Sequence, residues 1–432
     1  MSSKPKTSND KAWEKLFHKY AIETQIEKNG YFEISSVMIN EFREARLMTK
    51  FDYTSNLPQL FEKNNLSILP ITRGSYIISD FNTYETIPKP ATDIVKVNFP
   101  EYICSIDYEN ITSESTAINC AYVSGILNDF LKEERLMPTI NGRMSSGEFN
   151  FNITKKNNIT ASLRVSNSQI EIDGGYEGIN SLSLIEAKNS ISDDFLIRQL
   201  YYPYRLWNNK IGNHKSIRPI FMTYSNGIFT LNEYVFEDPQ NYNSLVLVQQ
   251  KNYSIEPEDI VFDDIHNIYN NVKLNPEPIG IPFPQANSFK RVINICELLF
   301  HEEKLTTDDI TYKYDFDSRQ TNYYTDACRY LGLVDKVRED GTVKYFLTTK
   351  GKKLFGLNIK KRNLEYVKLI LSQKTFYLTF GSYLNNLETP NKDEIVAHML
   401  KANLYNINSL STFERRASTI SGWINWILDL AR

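Results

Sequence analysis

The chain has 432 residues, too many for one ordinary core, and its length predicts about three domains. Its 41% apolar and 23% charged residues are typical of a globular protein and exclude a disordered or fibrous chain. The net charge of −3 argues against a uniformly basic nucleic-acid coat, although a neutral total is compatible with local basic patches.

The four cysteines are scattered, with no CxxC pair and no neighbouring histidines. Their spacing predicts neither a zinc site nor a disulfide framework. The opening segment is polar with no apolar run behind it, so we expect no signal peptide. No stretch approaches about 18 uninterrupted apolar residues, so we expect no membrane span. A cytoplasmic location fits this composition best.

The first region, residues 10–85, combines helical and strand patterns. We expect a helix around residues 13–20, a short helix that ends at Asn29-Gly30, a short strand over 32–35, a helix over 37–48 and two strands within 66–81. Helices followed by a β-hairpin are typical of a winged helix-turn-helix. We therefore assign residues 1–90 to an N-terminal winged-helix domain that recognises DNA.

The second region, residues 100–255, alternates helices and apolar strands. We expect a helix over residues 115–132, strands over 148–153, 159–165, 170–173 and 182–187, a helix over 193–207 and a strand over 219–224. Pro203 should bend or break the second of these helices. This order favours a sheet flanked by helices, and we place the α/β domain at residues 91–274.

The third region follows a segment with four prolines, which predicts a linker over residues 275–286. We then expect helices over 289–300, 306–312 and 318–331 and a hairpin over 334–347 that turns at Asp340-Gly341. A second winged helix is assigned to residues 287–358. Residues 359–432 are predicted to form a helical extension, for which a further helix-turn-helix is one interpretation. From Gln285 onward, 22 Lys and Arg stand against 17 Asp and Glu, which permits a nucleic-acid partner without requiring one.

The segment IEIDGGYEGINSLSLIEAK carries a pattern suited to catalysis. Strand alternation places Asp173 opposite its isoleucine neighbours, and the Gly174-Gly175 pair is predicted to turn the chain. The returning strand ends in Glu186 and Lys188, which share a face. Two carboxylates are hard oxygen ligands suited to Mg²⁺, which activates water and stabilises charge on a phosphate. A lysine beside them can orient or deprotonate that water, or neutralise the phosphate.

The Glu-x-Lys pattern alone is weak, because Glu302 and Lys304 repeat it elsewhere in the chain. A solvated hairpin face with a cross-strand ion pair explains the triplet equally well. The context favours a catalytic site, since one apolar strand ends in Asp, a glycine-rich segment follows, and a second apolar strand ends in Glu-x-Lys. Glu171 is interpreted as a bystander.

This segment resembles the PD-(D/E)xK nuclease superfamily, with Asp173 and Glu186-Ala187-Lys188 at the motif positions. The whole chain is similar to type II restriction endonucleases that join such a core to winged-helix DNA readers. The resemblance implies that Asp173 and Glu186 bind Mg²⁺, with the Ala187 carbonyl as a third ligand. It implies that Lys188 is the catalytic base or orients water, and it implies neither zinc nor a covalent enzyme intermediate.

The expected fold is therefore a multi-domain α+β chain, with a central α/β restriction-endonuclease-like core flanked by N-terminal and C-terminal winged-helix domains. Some relatives add an acidic residue from the first helix or strand. Glu114 and Glu148 are the candidates here, with a helix cap or a surface charge as the alternatives. Gln199 lies where relatives often place a glutamine that touches the metal site or DNA. Pro203 departs from the Gln-x-x-x-Tyr pattern of some branches, so a structural helix residue is the alternative for Gln199.

Residues expected to contact DNA fall into three groups, each of which is also compatible with an ordinary solvated surface. A recognition helix needs long donors on one face, and polar side chains in loops suit phosphate contact. The candidates are Arg43, Arg46 and Lys50 on the predicted 37–48 helix, Arg143, Ser145 and Ser146 in a loop-like segment, and Arg319, Gln320 and Asn322 at the start of the predicted 318–331 helix.

These features together favour a sequence-specific type II restriction endonuclease that uses Mg²⁺ to hydrolyse double-stranded DNA and leaves 5′-phosphates. Cleavage of both strands needs two active sites, so we expect a homodimer. Two alternatives stay open: a non-catalytic winged-helix DNA-binding regulator, and a structure-specific or defence nuclease of the same fold. The recognition sequence and the offset of the cut do not follow from the chain.

Overall fold

The computed structural model describes residues 6–89, 93–255, 259–313, 316, 318–405, 407 and 409–431. Over these residues the protein is a multi-domain mixture of helices and strands with a central sheet. No helix within the described residues is long and apolar enough to span a membrane.

The N-terminal region folds around a small antiparallel sheet with the strand order β1-β3-β2. Its elements are α1 (Ser8–Tyr20), α2 (Ile22–Asn29), β1 (Phe32–Ser35), α3 (Ser36–Asn40), α4 (Ala45–Met48), a 3-10 turn (Thr54–Asn56), α5 (Gln59–Lys63), β2 (Ser67–Pro70) and β3 (Ser75–Ser79). A capping box between Thr7 and Asp10 starts α1. Trp13 on α1 is fully buried and donates its indole N–H to the Met48 carbonyl at 3.0 Å, which fastens α4 to α1.

The predicted helix over residues 37–48 is wrong, because the chain forms two short helices, α3 and α4, with a turn between them. The Asn40 side chain accepts a hydrogen bond from the Ala45 amide at 2.7 Å, which is how asparagine competes with helical bonding. Arg43 consequently lies in the turn and Lys50 lies beyond α4. The single helical face predicted for Arg43, Arg46 and Lys50 does not exist.

The central region is built on a sheet with the strand order β5-β14-β13-β12-β10-β9-β6. Its elements are β4 (Tyr84–Thr86), β5 (Ile94–Lys96), α6 (Glu114–Val123), α7 (Ile126–Leu131), β6 (Met137–Ser145), β7 (Glu148–Thr154), β8 (Thr160–Ser166), β9 (Gln169–Glu177), β10 (Ser181–Lys188), β11 (Asp194–Leu196), α8 (Arg198–Ile211), β12 (Ser216–Ser225), β13 (Ile228–Phe236) and β14 (Leu245–Ser254). Strand β10 pairs with β12 in parallel and with β9 in antiparallel fashion, so it lies inside the sheet. Helix α8 and the β7–β8 hairpin cover one face, and α6 and α7 cover the other.

Two helix boundaries predicted in this region are wrong. The helix over 115–132 is divided into α6 and α7 at Gly125, which has a φ of +78°. Residues 193–197 are not helical: they include β11, and α8 starts only at Arg198. Pro203 is buried inside α8 and does not end the helix.

The glycine pair also differs from its prediction. Gly174-Gly175 lies within β9, and the chain turns later, where the Gly178 amide donates to the Ser181 carbonyl at 2.9 Å. A Cβ added to Gly175 would lie 2.6 Å from the Cβ of Ile140 on β6. Gly175 therefore permits the close approach of β6, whereas a Cβ on Gly174 would meet Ile118 of α6 at 3.2 Å.

The C-terminal region packs into one hydrophobic core that extends from Ile260 to Leu428. Its elements are α9 (Phe262–Asn271), α10 (Phe289–Glu302), β15 (Lys304–Thr306), α11 (Thr307–Lys313), α12 (Ser318–Tyr330), β16 (Val334–Glu339), β17 (Thr342–Leu347), α13 (Thr349–Leu354), α14 (Ile359–Leu371), α15 (Lys374–Asn386), α16 (Lys392–Ala402) and α17 (Leu410–Asp429). The predicted hairpin is confirmed, and Asp340 and Gly341 both have the positive φ that its tight turn requires. The proline-rich segment is packed rather than extended, since Phe283 and Ala286 are buried and Trp423 donates to the Ala286 carbonyl.

We predict that Gly175→Ala lowers the free energy of unfolding by about 1–3 kcal/mol, because the added methyl overlaps Ile140 and its carbonyl. Denaturant unfolding measures this change. Gly356→Ala is the matched control: its Cβ would meet only the Lys353 carbonyl at 3.6 Å, an ordinary contact. Equal midpoints for the two variants would contradict the close strand approach.

Candidate active site

The catalytic candidates meet where β10 separates from β9. The last paired residues are Gly174 and Ile185, and the next free amide of β10, that of Ala187, donates to the Asp173 carboxylate at 2.9 Å. The Lys188 Nζ lies 2.5 Å from the Glu186 Oε1. The structure thus brings Asp173, Glu186 and Lys188 together. At this point the Asp173 side chain, and not a backbone carbonyl of β9, accepts the hydrogen bond from the Ala187 amide of β10.

Two of the accessory candidates join this cluster. Glu114, the first residue of α6, places its carboxylate 3.7 Å from the Lys188 Nζ. Gln199, in the first turn of α8, donates from its Nε2 to the Glu186 Oε1 at 2.6 Å. The Gln199 Oε1 is buried and has no hydrogen-bond partner.

Glu148 does not join the cluster, contrary to its candidacy. It lies on the exposed face of the β7–β8 hairpin, where its carboxylate binds Arg164 at 2.9 Å and Ser166 at 3.0 Å. Its role there is that of the surface charge named as the alternative. Glu302 and Lys304, which repeat the Glu-x-Lys pattern, end α10 and begin β15, so they do not share a strand.

Burial controls the electrostatics of the cluster. Only 8% of Glu186 is exposed, and this burial, with the neighbouring Asp173 charge, raises the pKa of Glu186 to about 8 although Lys188 opposes the shift. Burial also raises the pKa of Glu114. Burial disfavours the charged form of Lys188, but the surrounding carboxylates outweigh it and hold the pKa of Lys188 well above its ordinary value.

The donor set fits a hard divalent cation. Three carboxylates surround one ammonium group, so the ionised cluster carries more negative than positive charge, and a cation would compensate the excess. Asp173, Glu186 and the Ala187 carbonyl are oxygen donors of the type that Mg²⁺ prefers, and they would be the residues to hold it. Among the described residues, no group of three or more His, Cys, Asp or Glu side chains is arranged to hold a metal by itself. An ion here would complete its coordination shell with water and substrate oxygens.

The cluster opens into a cleft of about 880 Å³ that all three regions line. Arg46, Lys50 and Tyr53 come from the N-terminal region, and Glu297, His301 and Glu302 come from α10. Arg198, beside Gln199, also lines the cleft. No sequence pattern predicted that Tyr53, Arg198 and His301 line the site. Of these three, only Arg198 carried a signal, its position next to Gln199.

Of the residues predicted to contact DNA from the N-terminal region and from the segment 143–146, only some line the cleft. Arg46 and Lys50 line the cleft and are largely exposed, at 78% and 58%, while Arg43 is half-buried and outside it. Arg143 lines the cleft from β6 and pairs with Glu171 at 3.3 Å. Ser145 is exposed and bonds to Asn167, whereas Ser146 is buried and bonds to the Gly147 carbonyl. Phosphate contact by the Ser146 side chain is therefore excluded in this conformation.

The C-terminal candidates lie in the first turns of α12. Arg319, Gln320 and Asn322 are exposed, and the Arg319 Nε donates to the Tyr323 hydroxyl at 2.8 Å. They do not line the cleft beside Asp173, Glu186 and Lys188. Any contact they make with DNA would therefore lie outside that cleft.

Comparison with known proteins divides the chain into three matched segments. Residues 10–78, 79–254 and 291–432 match the models described as domains of unknown function DUF6996, DUF6997 and DUF7226, respectively. The cluster of Asp173, Glu186 and Lys188 lies within the second match, and the cleft around it also includes residues of the other two matches. No curated protein and no solved structure matches the chain.

We predict that the metal-free protein loses stability between about pH 5 and pH 8 through Glu186. Between the unfolded carboxyl pKa near 4.3 and the folded value of about 8, the folded state holds the extra proton, so unfolding becomes easier as pH rises. Glu186→Gln should lack this pH-dependent contribution to stability. In EDTA, the melting temperature of the variant minus that of wild type should therefore increase from pH 5 to pH 8. Glu171→Gln, a more exposed carboxyl two residues from Asp173, is the control. A parallel pH dependence in wild type and Glu186→Gln would refute the shifted pKa.

Proposed function

We propose that this protein is a Mg²⁺-dependent endodeoxyribonuclease of restriction type that hydrolyses phosphodiester bonds in double-stranded DNA. The observation that carries the proposal is the convergence of Asp173, Glu186 and Lys188 where two neighbouring strands separate. Gln199 and Glu114, from two different helices, reach the same cluster. An ordinary cross-strand ion pair on a solvated hairpin requires neither a buried carboxylate such as Glu186 nor these additional polar partners.

Each side chain has a role that follows from its environment. Asp173, Glu186 and the Ala187 carbonyl would hold Mg²⁺, which when bound supplies an activated water and stabilises charge on the phosphate. Lys188, whose ammonium form is favoured, would donate hydrogen bonds and neutralise phosphate charge rather than accept a proton. Gln199 holds the Glu186 carboxylate through its Nε2, while its buried Oε1 has no hydrogen-bond partner among the described residues.

Two features support DNA as the substrate. Arginine and lysine side chains from the N-terminal and central regions line the cleft beside the carboxylates, and such side chains bind phosphates. In both terminal regions, helices precede an antiparallel sheet in the order of a winged helix, so we propose that they read DNA. Cleavage of both strands would place two copies of the chain on one site, and the products would carry 5′-phosphates.

We predict Mg²⁺-dependent DNA cleavage that EDTA abolishes. Asp173→Asn, Glu186→Gln and Lys188→Ala should each lower the cleavage rate at least about a hundredfold, since they remove cation ligands or charge stabilisation. Lys304→Ala, in the repeated Glu-x-Lys pattern, is the matched control and should cut normally. Gel assays on plasmid and phage DNA measure the rate, and discrete fragments would indicate sequence specificity.

The outcomes of this assay also separate the alternatives. Undiminished cutting by the Asp173 and Glu186 variants would overturn the site. Tight DNA binding without cutting under any metal condition would favour a regulator, and cutting restricted to branched or single-stranded substrates would favour a structure-specific nuclease.

We predict that Lys50→Ala, in a Lys188→Ala background that prevents cleavage, weakens DNA binding and lowers the slope of log affinity against log salt by about 1. Lys50 lines the cleft, 58% of its side chain is exposed, and it would contribute one phosphate contact. Arg164→Ala is the control, because Arg164 lies on the exposed face of the β7–β8 hairpin outside the cleft. Fluorescence anisotropy with a labelled duplex, repeated at several salt concentrations, measures both the affinity for DNA and its salt dependence. The same slope for the Lys50 variant and its background would rule out that contact.

A further inference from the structure

Residues 189–197, which we call the connecting segment, join two components of the candidate active site. The segment begins directly after Lys188 and ends directly before Arg198 and Gln199. Strand β11 lies within it and pairs with β4. Its position in the chain makes it the direct covalent link between the lysine and the glutamine that both bind Glu186.

The C-terminal region holds the first half of the connecting segment. The Arg291 guanidinium on α10 donates to the Asp193 carboxylate at 2.9 Å, and 82% of the Asp193 side chain is exposed while Arg291 is buried. One turn further along α10, the fully buried Asn294 donates from its Nδ2 to the Asn189 carbonyl at 3.3 Å. Helix α10 thus contacts the residue adjacent to Lys188 as well as the middle of the segment.

The N-terminal region holds the same segment from its other side. The Thr54 amide donates to the Asp194 Oδ1 at 3.0 Å, and the Thr54 hydroxyl bonds to the same carboxylate. The Leu196 amide donates to the Asp52 carbonyl at 2.9 Å. Two adjacent aspartates therefore bind different terminal regions: Asp193 binds Arg291 on α10, and Asp194 binds Thr54 of the N-terminal region.

We propose that Asp193 and Asp194 are positioning residues, through which the two terminal regions set the placement of Lys188 and Gln199 around Glu186. The inference rests on the proposed nuclease function for its catalytic consequence, but the physical link stands on these contacts alone. A displacement of about 1 Å at a reacting group lowers catalysis by up to about a hundredfold, so a loosened segment should slow the reaction without touching the substrate. Terminal regions that bind DNA would thereby act on the active site through this segment.

The test uses Asp193→Asn and Asp194→Asn in the full chain, which keep side-chain size and remove one charge each. We expect each to lower kcat between about tenfold and a hundredfold while KM for DNA changes less than about threefold. Asp193→Glu, which retains the charge for Arg291, should recover most of the activity. Lys251→Gln is the matched control: Lys251 lies on β14, three strands from β10, and the change removes its ion pair with Asp129 on α7.

Hydrogen exchange provides a readout that does not depend on catalysis. Peptides covering residues 189–197 should exchange faster in Asp193→Asn and Asp194→Asn than in wild type or Lys251→Gln, while peptides of the C-terminal core stay unchanged. Unchanged exchange in the segment, or a loss confined to KM, would overturn the positioning role. If the segment exchanges faster in the variants but wild type cuts no DNA, the contacts of the terminal regions with residues 189–197 would be supported and the proposed nuclease function would be rejected.

Discussion

The buried Glu186 carboxylate is the constraint on which the rest of the structure depends. A charged or polar group removed from water must find partners, because an unsatisfied one costs several kcal/mol. Glu186 finds Lys188 on its own strand and Gln199 on α8, and Lys188 in turn faces Glu114 on α6. These partners come from a strand and two helices, so the strand and both helices have to be placed accurately with respect to one another.

The central sheet supplies that placement. Strand β10 pairs with β12 along its whole length, which fixes the position of Glu186 along the sheet. The close approach permitted by Gly175 holds β9 between β10 and β6. The Asp173 carboxylate then replaces a backbone partner of the Ala187 amide. Because the Ala187 backbone amide binds the Asp173 carboxylate, the backbone itself positions this carboxylate beside Glu186.

The terminal regions are packed against this centre and are not independent attachments. Glu297 on α10 accepts from the Ser225 hydroxyl and the Asn226 amide, which fastens the β12–β13 turn to the C-terminal region. Asn56 of the N-terminal region donates to the Thr311 carbonyl at 2.6 Å, so the two terminal regions also touch each other. The cleft beside Asp173, Glu186 and Lys188 is therefore lined by residues of all three regions.

The sequence by itself determined the periodic elements: the strands that became β7 to β10, the helix pattern of the C-terminal region, the Asp340-Gly341 turn and the triad of Asp173, Glu186 and Lys188. These follow from local alternation and turn chemistry, which a short stretch of chain encodes. Only the tertiary structure decided that Glu114 and not Glu148 reaches Lys188, that Gly174-Gly175 packs instead of turning, and that residues 189–197 are held by both terminal regions. The physical reason is that these outcomes depend on distances between elements far apart in sequence, and those distances are set by packing.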